Sequence, residues 1–264
     1  MKRLPSRGAK GLRRSLHFVP GGNDRMFEKA LNLPADSLIL DLEDSVTPAN
    51  KEAAREQVCN WIKDTNFENQ ECLVRINPLD TPWGSKDLRA VAESLPDGIV
   101  LPKVAKKKEV MNIDGVVSQV EQEKQIEEGS VSFVLIGTEV PEAVFNLHKM
   151  AKIPRVDAIT WGAEDLSGVL GAKAKRDSHG SYLEVFSYVR ATCLLAAVAG
   201  SADPIDAVYV DIKNPAGLIQ ECNDGANMGY TGKVTIHPSQ IDIVNKAFTP
   251  SAEEISDAEE LIAA

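Results

Sequence analysis

Residues 38–55 read LILDLEDSVTPANKEAAR, and this stretch holds one complete unit of the fold. The apolar run at 38–42 is typical of a buried strand, and Pro48 stands at the start of a helical pattern, where proline is favoured. Between them lie Asp41, Glu43 and Asp44, with no basic residue before Lys51. So much negative charge at the end of a buried strand calls for positive charge nearby.

Seven further strand patterns repeat this unit along the chain. The eight predicted strands are 16–19, 38–42, 73–76, 99–101, 133–136, 158–161, 208–212 and 234–236. Helical patterns separate them, and a last helix follows Pro250. Strands that alternate with helices predict right-handed crossovers and a parallel sheet. Eight such units predict an α/β protein with a closed (β/α)8 TIM barrel, formed as a single domain with a C-terminal helix.

An open, doubly wound sheet is the alternative architecture. Its dinucleotide-binding form is disfavoured because the segment VPGGND after the first strand does not fit GxGxxG. A length of 264 residues suits one barrel. We therefore predict a flexible basic segment at 1–12 and one barrel domain at 13–264.

Composition narrows the compartment and the partners. The formal net charge of -10 argues against nucleic-acid and membrane-surface binding, which need a basic face. The four cysteines lack CxxC spacing, and the chain has no secretory or membrane-spanning apolar run. These features predict a reduced, cytoplasmic protein. The basic N-terminus leaves a transit peptide open, so the mitochondrial matrix is an alternative in a eukaryotic source.

Polar residues follow the strands at the end where barrel enzymes carry their active sites. They are Glu43, Asp44, Arg75, Asn77, Lys103, Glu139, Glu164, Asp165, Asp211 and His237. Each one singly fits a turn or a helix cap, but their recurrence from the second strand onward favours a common site.

Glu139 and Asp165 are 26 positions apart, about one βα unit, and are therefore expected on neighbouring strands. Two adjacent carboxylates repel unless a cation joins them or one keeps its proton. Oxygen ligands without a Cys/His cluster favour Mg²⁺, which completes its coordination with water and substrate. The alternative is a structural ion pair between one carboxylate and a lysine or arginine.

Arg75 lies inside an otherwise apolar strand, where an unpaired guanidinium is costly. We expect it to form a bidentate pair with a substrate carboxylate or with Glu43 and Asp44, or else a purely structural salt bridge. His17 fits a core residue and a ligand contact equally well. No Ser/His/Asp or Cys/His nucleophile set can be assembled from the sequence.

Seven short motifs, in this order, resemble the citrate lyase beta-subunit-like proteins of the HpcH/HpaI aldolase/citrate lyase superfamily, which includes malyl-CoA and citramalyl-CoA lyases. They are RRSLHFVPG (13–21), LDLEDSV (40–46), VRIN (74–77), LPKV (101–104), IGTE (136–139), WGAEDL (161–166) and GKVTIHPSQ (232–240). The resemblance implies a TIM barrel that uses Mg²⁺ to cleave or form a carbon–carbon bond in a 3-hydroxy-acyl-CoA thioester. It also implies a homotrimer or hexamer.

The resemblance also implies roles for individual residues. Glu139 and Asp165 would hold the metal, and Arg75 would bind the 2-oxo acid. Glu43 and Asp44 would assist catalysis by fixing Arg75 and the waters around the metal. Backbone amides of Gly162, Ala163 and Glu164 would hold the substrate carboxylate. We add Arg25, from the loop after the first strand, and Lys29, from the next helix, as contacts for the CoA phosphates.

Three related activities remain open. The preferred one is a lyase that cleaves malyl-, citramalyl- or citryl-CoA into an acyl-CoA and a 2-oxo acid such as oxaloacetate. The alternatives are a citrate lyase beta subunit that needs an acyl-carrier partner, and a malate synthase or malyl-CoA thioesterase. Many relatives continue into a segment bearing an aspartate that serves the latter steps, whereas this sequence ends at Ala264, which favours the lyase.

Overall fold

The computed structural model describes residues 11–263, in which strands and helices alternate. The strands are β1 (Ser15–Pro20), β2 (Ser37–Asp41), β3 (Glu71–Arg75), β4 (Gly98–Leu101), β5 (Ser132–Ile136), β6 (Val156–Thr160), β7 (Asp203–Asp206) and β8 (Gly232–Thr235). The helices are α1 (Asp24–Ala30), α2 (Lys51–Asp64), α3 (Gly84–Ser94), α4 (Lys107–Lys124), α5 (Pro141–Met150), α6 (Ala163–Leu170), α7 (Glu184–Gly200), α8 (Pro215–Met228), α9 (Ile241–Ala247) and α10 (Ala252–Ala263). Single 3₁₀ turns, Pro48–Asn50 and Pro238–Gln240, precede α2 and α9.

The eight strands form a closed parallel barrel in sequence order. The barrel closes where β1 pairs with β8, with Leu16 opposite Val234. This confirms the predicted (β/α)8 architecture, with one domain and a C-terminal helix. Of the basic segment predicted at 1–12, residues 1–10 lie outside the described residues.

The core has two layers, because successive side chains of a strand point to opposite faces. Nine buried apolar side chains fill the barrel interior, among them Leu16, Ile39 and Val134. A larger apolar cluster lies between the strands and the surrounding helices. The interior is therefore packed, as in other barrels of this size, and a ligand has room only at an end.

A buried ion cluster closes the N-terminal end of the barrel. Nη2 of Arg13 lies 2.6 Å from Glu71 Oε1 and 2.6 Å from Asp157 Oδ2, and Nη1 lies 3.3 Å from Asp203 Oδ2. One guanidinium thus joins carboxylates from three strands. This leaves the C-terminal end for function.

The predicted seventh strand was wrong. Residues 208–212 have the apolar, β-branched composition of a strand, but the strand is β7, immediately before them. Val210 and Ile212 are 48% and 42% exposed at the barrel mouth. The sequence DPID conceals β7, because Pro204 and two aspartates are disfavoured in strands.

No helix among residues 11–263 is both long enough and apolar enough to cross a membrane.

Candidate active site

A cavity of about 700 Å³ opens at the C-terminal end of the barrel. Its floor is apolar, with Leu16, Ile39 and Val134 from the barrel interior. One side carries five charged residues, and together with Glu43 and Lys103, which contact them but do not line the cavity, they form what we call the charged cluster. Its members are Asp41, Glu43, Asp44, Arg75, Lys103, Glu139 and Asp165, five acids and two bases.

Arg75 is fixed by its neighbour in the barrel. Asp41 and Arg75 stand opposite each other in the register of β2 and β3. Arg75 Nε and Nη2 donate to Asp41 Oδ1 and Oδ2 at 2.7 and 2.8 Å, and the guanidinium lies 4.5 Å from the centre of the Phe18 ring. Burial works to raise the pKa of Asp41, but Arg75 outweighs it and holds this pKa below its ordinary value. The expected bidentate pair thus forms with Asp41, not with Glu43 and Asp44.

Glu43 and Asp44 lie beside the remaining guanidinium nitrogen. Arg75 Nη1 is 3.0 Å from Glu43 Oε2 and 3.7 Å from Asp44 Oδ2. Glu43 is buried, whereas the Asp44 side chain is 61% exposed. Burial raises the pKa of Glu43 although Arg75 and Lys103 oppose the shift. Both residues thus lie beside Arg75, and their role in orienting it stays a prediction.

The buried ammonium of Lys51 holds the turn that carries Glu43. It donates to the carbonyls of Leu42 and Glu43 at 2.8 and 2.7 Å and to Asn77 Oδ1 at 2.6 Å. Three acceptors need three N–H groups, so the side chain is charged. Asn77 is thereby committed to this support and does not line the cavity.

Glu139 and Asp165, the predicted metal ligands, both line the cavity. Lys103 contacts both: its backbone N–H donates to Glu139 Oε2 at 2.7 Å, and its Nζ lies 3.3 Å from Asp165 Oδ1. Burial, and then the charges of Glu43 and Asp165, raise the pKa of Glu139 to about 8. Lys103 opposes this rise in the pKa but does not outweigh it.

The space around Glu139 suits a small cation. A Cβ added at Gly162 would lie 2.6 Å from Glu139 Cγ, so the glycine leaves room for this carboxylate. Among residues 11–263, no group of three or more His, Cys, Asp or Glu side chains is arranged to hold a metal. Glu139 and Asp165, two carboxylates that line one cavity, fit an ion such as Mg²⁺, which can take two protein carboxylates and fill its other positions with water and substrate.

The start of α6 presents backbone N–H groups to the cavity. Gly162 is its N-cap, no side chain caps it, and the first N–H groups of a helix have no partner within it. The N–H of Gly162 donates to Thr138 Oγ1 at 3.1 Å, which leaves Ala163 and Glu164 as donors for an anion. The side chain of Glu164 pairs with Lys175.

Of the remaining predicted residues, some line the cavity and others do not. Lys29 lines the cavity, whereas Arg25 is exposed and is not among its lining residues. His17 also lines it, and burial, followed by the charge of His237, lowers the pKa of His17 to about 4. Asp211, expected at the end of a strand, is exposed outside the cavity because β7 ends earlier.

Two central residues received no role from the sequence. Asp41 was counted among the carboxylates of its strand, and Lys103 among the residues that follow strands. The available signal for Asp41 was the side-chain alternation of β2, which places it on the same face as Ile39. For Lys103 it was a lysine directly after a strand and a proline.

Comparisons with known proteins give the family. The model of the HpcH/HpaI aldolase/citrate lyase family matches residues 14–238. The chain is 33% identical over 251 residues to a (3S)-malyl-CoA thioesterase of Cereibacter sphaeroides, covering 95% of this chain and 82% of that protein. It is 33% identical over 253 residues to citrate lyase subunit beta of Escherichia coli, covering 96% and 82%.

A solved structure agrees in fold. It is the citrate lyase beta subunit of Mycobacterium tuberculosis complexed with oxaloacetate and magnesium. The two structures align with a TM-score of 0.76 and 33% sequence identity, over 91% of this chain and 99% of that one. The chain therefore belongs to the HpcH/HpaI aldolase/citrate lyase family.

Proposed function

We propose that this protein is a Mg²⁺-dependent carbon–carbon lyase that cleaves a 3-hydroxy-acyl-CoA into an acyl-CoA and a 2-oxo acid. One observation carries the proposal: at the barrel mouth five carboxylates share two cations, the buried Arg75 guanidinium and the Lys103 ammonium. Family membership supports a lyase. The relative complexed with oxaloacetate and magnesium supports the ligand classes.

Glu139 and Asp165 would hold the metal. When bound, Mg²⁺ would supply Lewis-acid polarisation of the substrate oxygens. Arg75 Nη1 would meet the oxo acid, because Nε and Nη2 are held by Asp41. The N–H groups of Ala163 and Glu164 would bind the same fragment.

The other residues of the site would orient these groups. Glu43 and Asp44 would orient Arg75 Nη1 and the waters around the metal. Lys29, at the edge of the cavity, would contact a phosphate of CoA. Arg25 stays a weaker proposal, because it does not line the cavity.

A malyl-CoA thioesterase is the second candidate, since a relative with this name covers nearly the whole chain. Cleavage of the carbon–carbon bond yields oxo acid without free thiol, whereas hydrolysis yields free thiol and leaves that bond intact. Supplying malyl-, citramalyl- and citryl-CoA and following both products separates the two. Turnover only with a carrier-bound thioester would identify the third alternative, a citrate lyase beta subunit.

Two variants test the metal site. We expect Glu139→Gln and Asp165→Asn each to abolish turnover and its stimulation by Mg²⁺, because each removes one anionic ligand. Glu142→Gln is the matched control, since this exposed carboxylate pairs with Lys106 outside the charged cluster. Mg²⁺-stimulated turnover in either cluster variant would refute the assignment.

We also propose that the chain self-associates, as the trimer or hexamer that the family resemblance implies. The support is the outer face of α7. Val185, Tyr188, Leu195 and Val198 are all exposed there. The charged residues of this helix are Glu184 at its first position and the buried Arg190. A surface helix normally presents charged residues to water, so this face suits contact with another protein surface.

A further inference from the structure

Lys103 contacts three carboxylates of the charged cluster, and two of them are the predicted metal ligands. Its Nζ lies 2.6 Å from Glu43 Oε1 and 3.3 Å from Asp165 Oδ1. Its backbone N–H donates to Glu139 Oε2 at 2.7 Å. Both predicted metal ligands are therefore bound to the same lysine, one through its side chain and the other through its backbone.

The backbone of Lys103 is in an unfavourable conformation. Its φ is +54°, in the left-handed region that residues with a Cβ rarely occupy. Neighbouring contacts must hold it there, and the bond to Glu139 is one of them. The two ion pairs of the Lys103 side chain, with Glu43 and Asp165, add to this restraint. The position of Lys103 is thus tied to the carboxylates around it.

The ammonium and a divalent metal ion need the same oxygen atoms. A carboxylate oxygen of Asp165 that accepts from Lys103 is less available to Mg²⁺, and a neighbouring positive charge lowers the affinity for any cation. Glu43 gives the ammonium a second partner at shorter distance, so it can leave Asp165 without becoming unpaired. The lysine is also the group that offsets repulsion among the carboxylates when no metal is bound.

We propose that Lys103 is a positioning residue that acts as the counter-cation of the metal-free site. It holds Glu139 and Asp165 in place, and it yields Asp165 to the metal while it stays paired with Glu43. This inference rests on the proposed metal site. A competing charge and a structural support have opposite effects on the affinity for the metal. Loss of a mere support would weaken metal binding, whereas loss of a competing charge strengthens it.

The test is Mg²⁺ titration by calorimetry, without substrate, of the wild type and of Lys103→Met. Methionine keeps the length of the side chain and removes the charge. We expect Lys103→Met to bind Mg²⁺ about tenfold more tightly than the wild type. In the presence of a chelator, which keeps the site free of metal, the variant should melt at a lower temperature than the wild type. Lys103→Arg keeps the charge and is expected to return the Mg²⁺ affinity toward the wild-type value. Lys106→Met is the matched control and leaves both quantities unchanged, because Lys106 pairs with Glu142 outside the cluster.

Unchanged or weaker Mg²⁺ binding by Lys103→Met would overturn the inference. Absence of Mg²⁺ binding by the wild type would instead refute the proposed metal site. If Lys103→Met does not fold, Lys103→Gln takes its place with the same expectations, since it also removes the charge.

Discussion

The guanidinium of Arg75 is held by other residues of the protein without any substrate. Its Nε and Nη2 are hydrogen-bonded to Asp41, and its flat face lies on Phe18. These contacts fix the plane of the guanidinium and leave Nη1 as the group nearest Glu43 and Asp44. A lysine could replace the charge but could not make the two parallel bonds.

We therefore expect Arg75→Lys to weaken oxo-acid binding by roughly 1 to 3 kcal/mol, the range for hydrogen bonds to charged groups. Calorimetry with oxaloacetate or pyruvate in the presence of Mg²⁺ measures this loss. Arg55→Lys is the control, because Arg55 also pairs with a buried aspartate, Asp87, but does not line the cavity. Wild-type affinity in Arg75→Lys would make Arg75 purely structural.

The sequence predicted the parts of the site that depend on strand order. Glu139 and Asp165 lie together because each follows its strand, and one βα unit separates them. Asp41 and Lys103 were missed because their importance comes from pairs across strands, Asp41 with Arg75 and Lys103 with Glu43. Such pairs depend on strand register and on a left-handed backbone at Lys103, which local patterns do not encode.

Strand β7 depends on one buried carboxylate. Asp206 accepts from Trp161 Nε1 at 2.7 Å, from Arg190 Nη2 at 2.7 Å and from Lys233 Nζ at 3.0 Å. These partners come from the residue that follows β6, from α7 and from β8, so the network joins three neighbours of the strand. Strand composition could not predict β7, because this network is what makes its aspartate tolerable inside the protein.

Asp206→Asn should lower the free energy of unfolding by about 3 to 5 kcal/mol, because it leaves the charge of Arg190 without its carboxylate partner and leaves Lys233 with Glu221 alone. Denaturant unfolding at neutral pH measures this change. Asp224→Asn is the control, since Asp224 is exposed on α8. A loss below about 1 kcal/mol, the size found for surface pairs, would contradict the role given to Asp206.

The same network predicts a pH dependence. Burial works to raise the pKa of Asp206, but Lys233 and Arg190 outweigh it and hold this pKa below its ordinary value. A lowered pKa in the folded state means that the stabilisation is complete above the ordinary pKa of aspartate, about 4. It is lost as the pH falls below that value toward the folded-state pKa. In acid titrations of unfolding, the difference between wild type and Asp206→Asn should therefore shrink below about pH 4.

The number and order of the strands in the barrel were predictable from the sequence, even where the boundary of a strand was not. Each βα unit has its own strand and helix pattern, and a right-handed crossover places each strand beside the previous one. An error of a few residues in β7 therefore left the eight-stranded barrel intact. The outer ring is different, because the sequence pattern does not say which helix faces water and which faces another subunit.

The exposed apolar face of α7 allows self-association to be tested with one substitution. Leu195 is 69% exposed in the single chain, so an aspartate there should leave the fold of the subunit intact. If α7 is buried on self-association, Leu195→Asp would place an unpaired charge in an apolar contact, at a cost of several kcal/mol per subunit. We expect the wild type to have the mass of a trimer or hexamer by light scattering, and Leu195→Asp to dissociate toward single chains.

Met111→Asp is the control for this variant, since Met111 is an exposed apolar residue on α4, which is separated from α7 along the outer ring by α5. It should keep the wild-type mass, and both variants should keep the far-ultraviolet circular dichroism of the folded wild-type subunit. A wild type that runs as a single chain would contradict self-association itself. An oligomer that survives Leu195→Asp would place the contact on another face, because a buried aspartate without a partner could not be accommodated at the centre of the α7 surface.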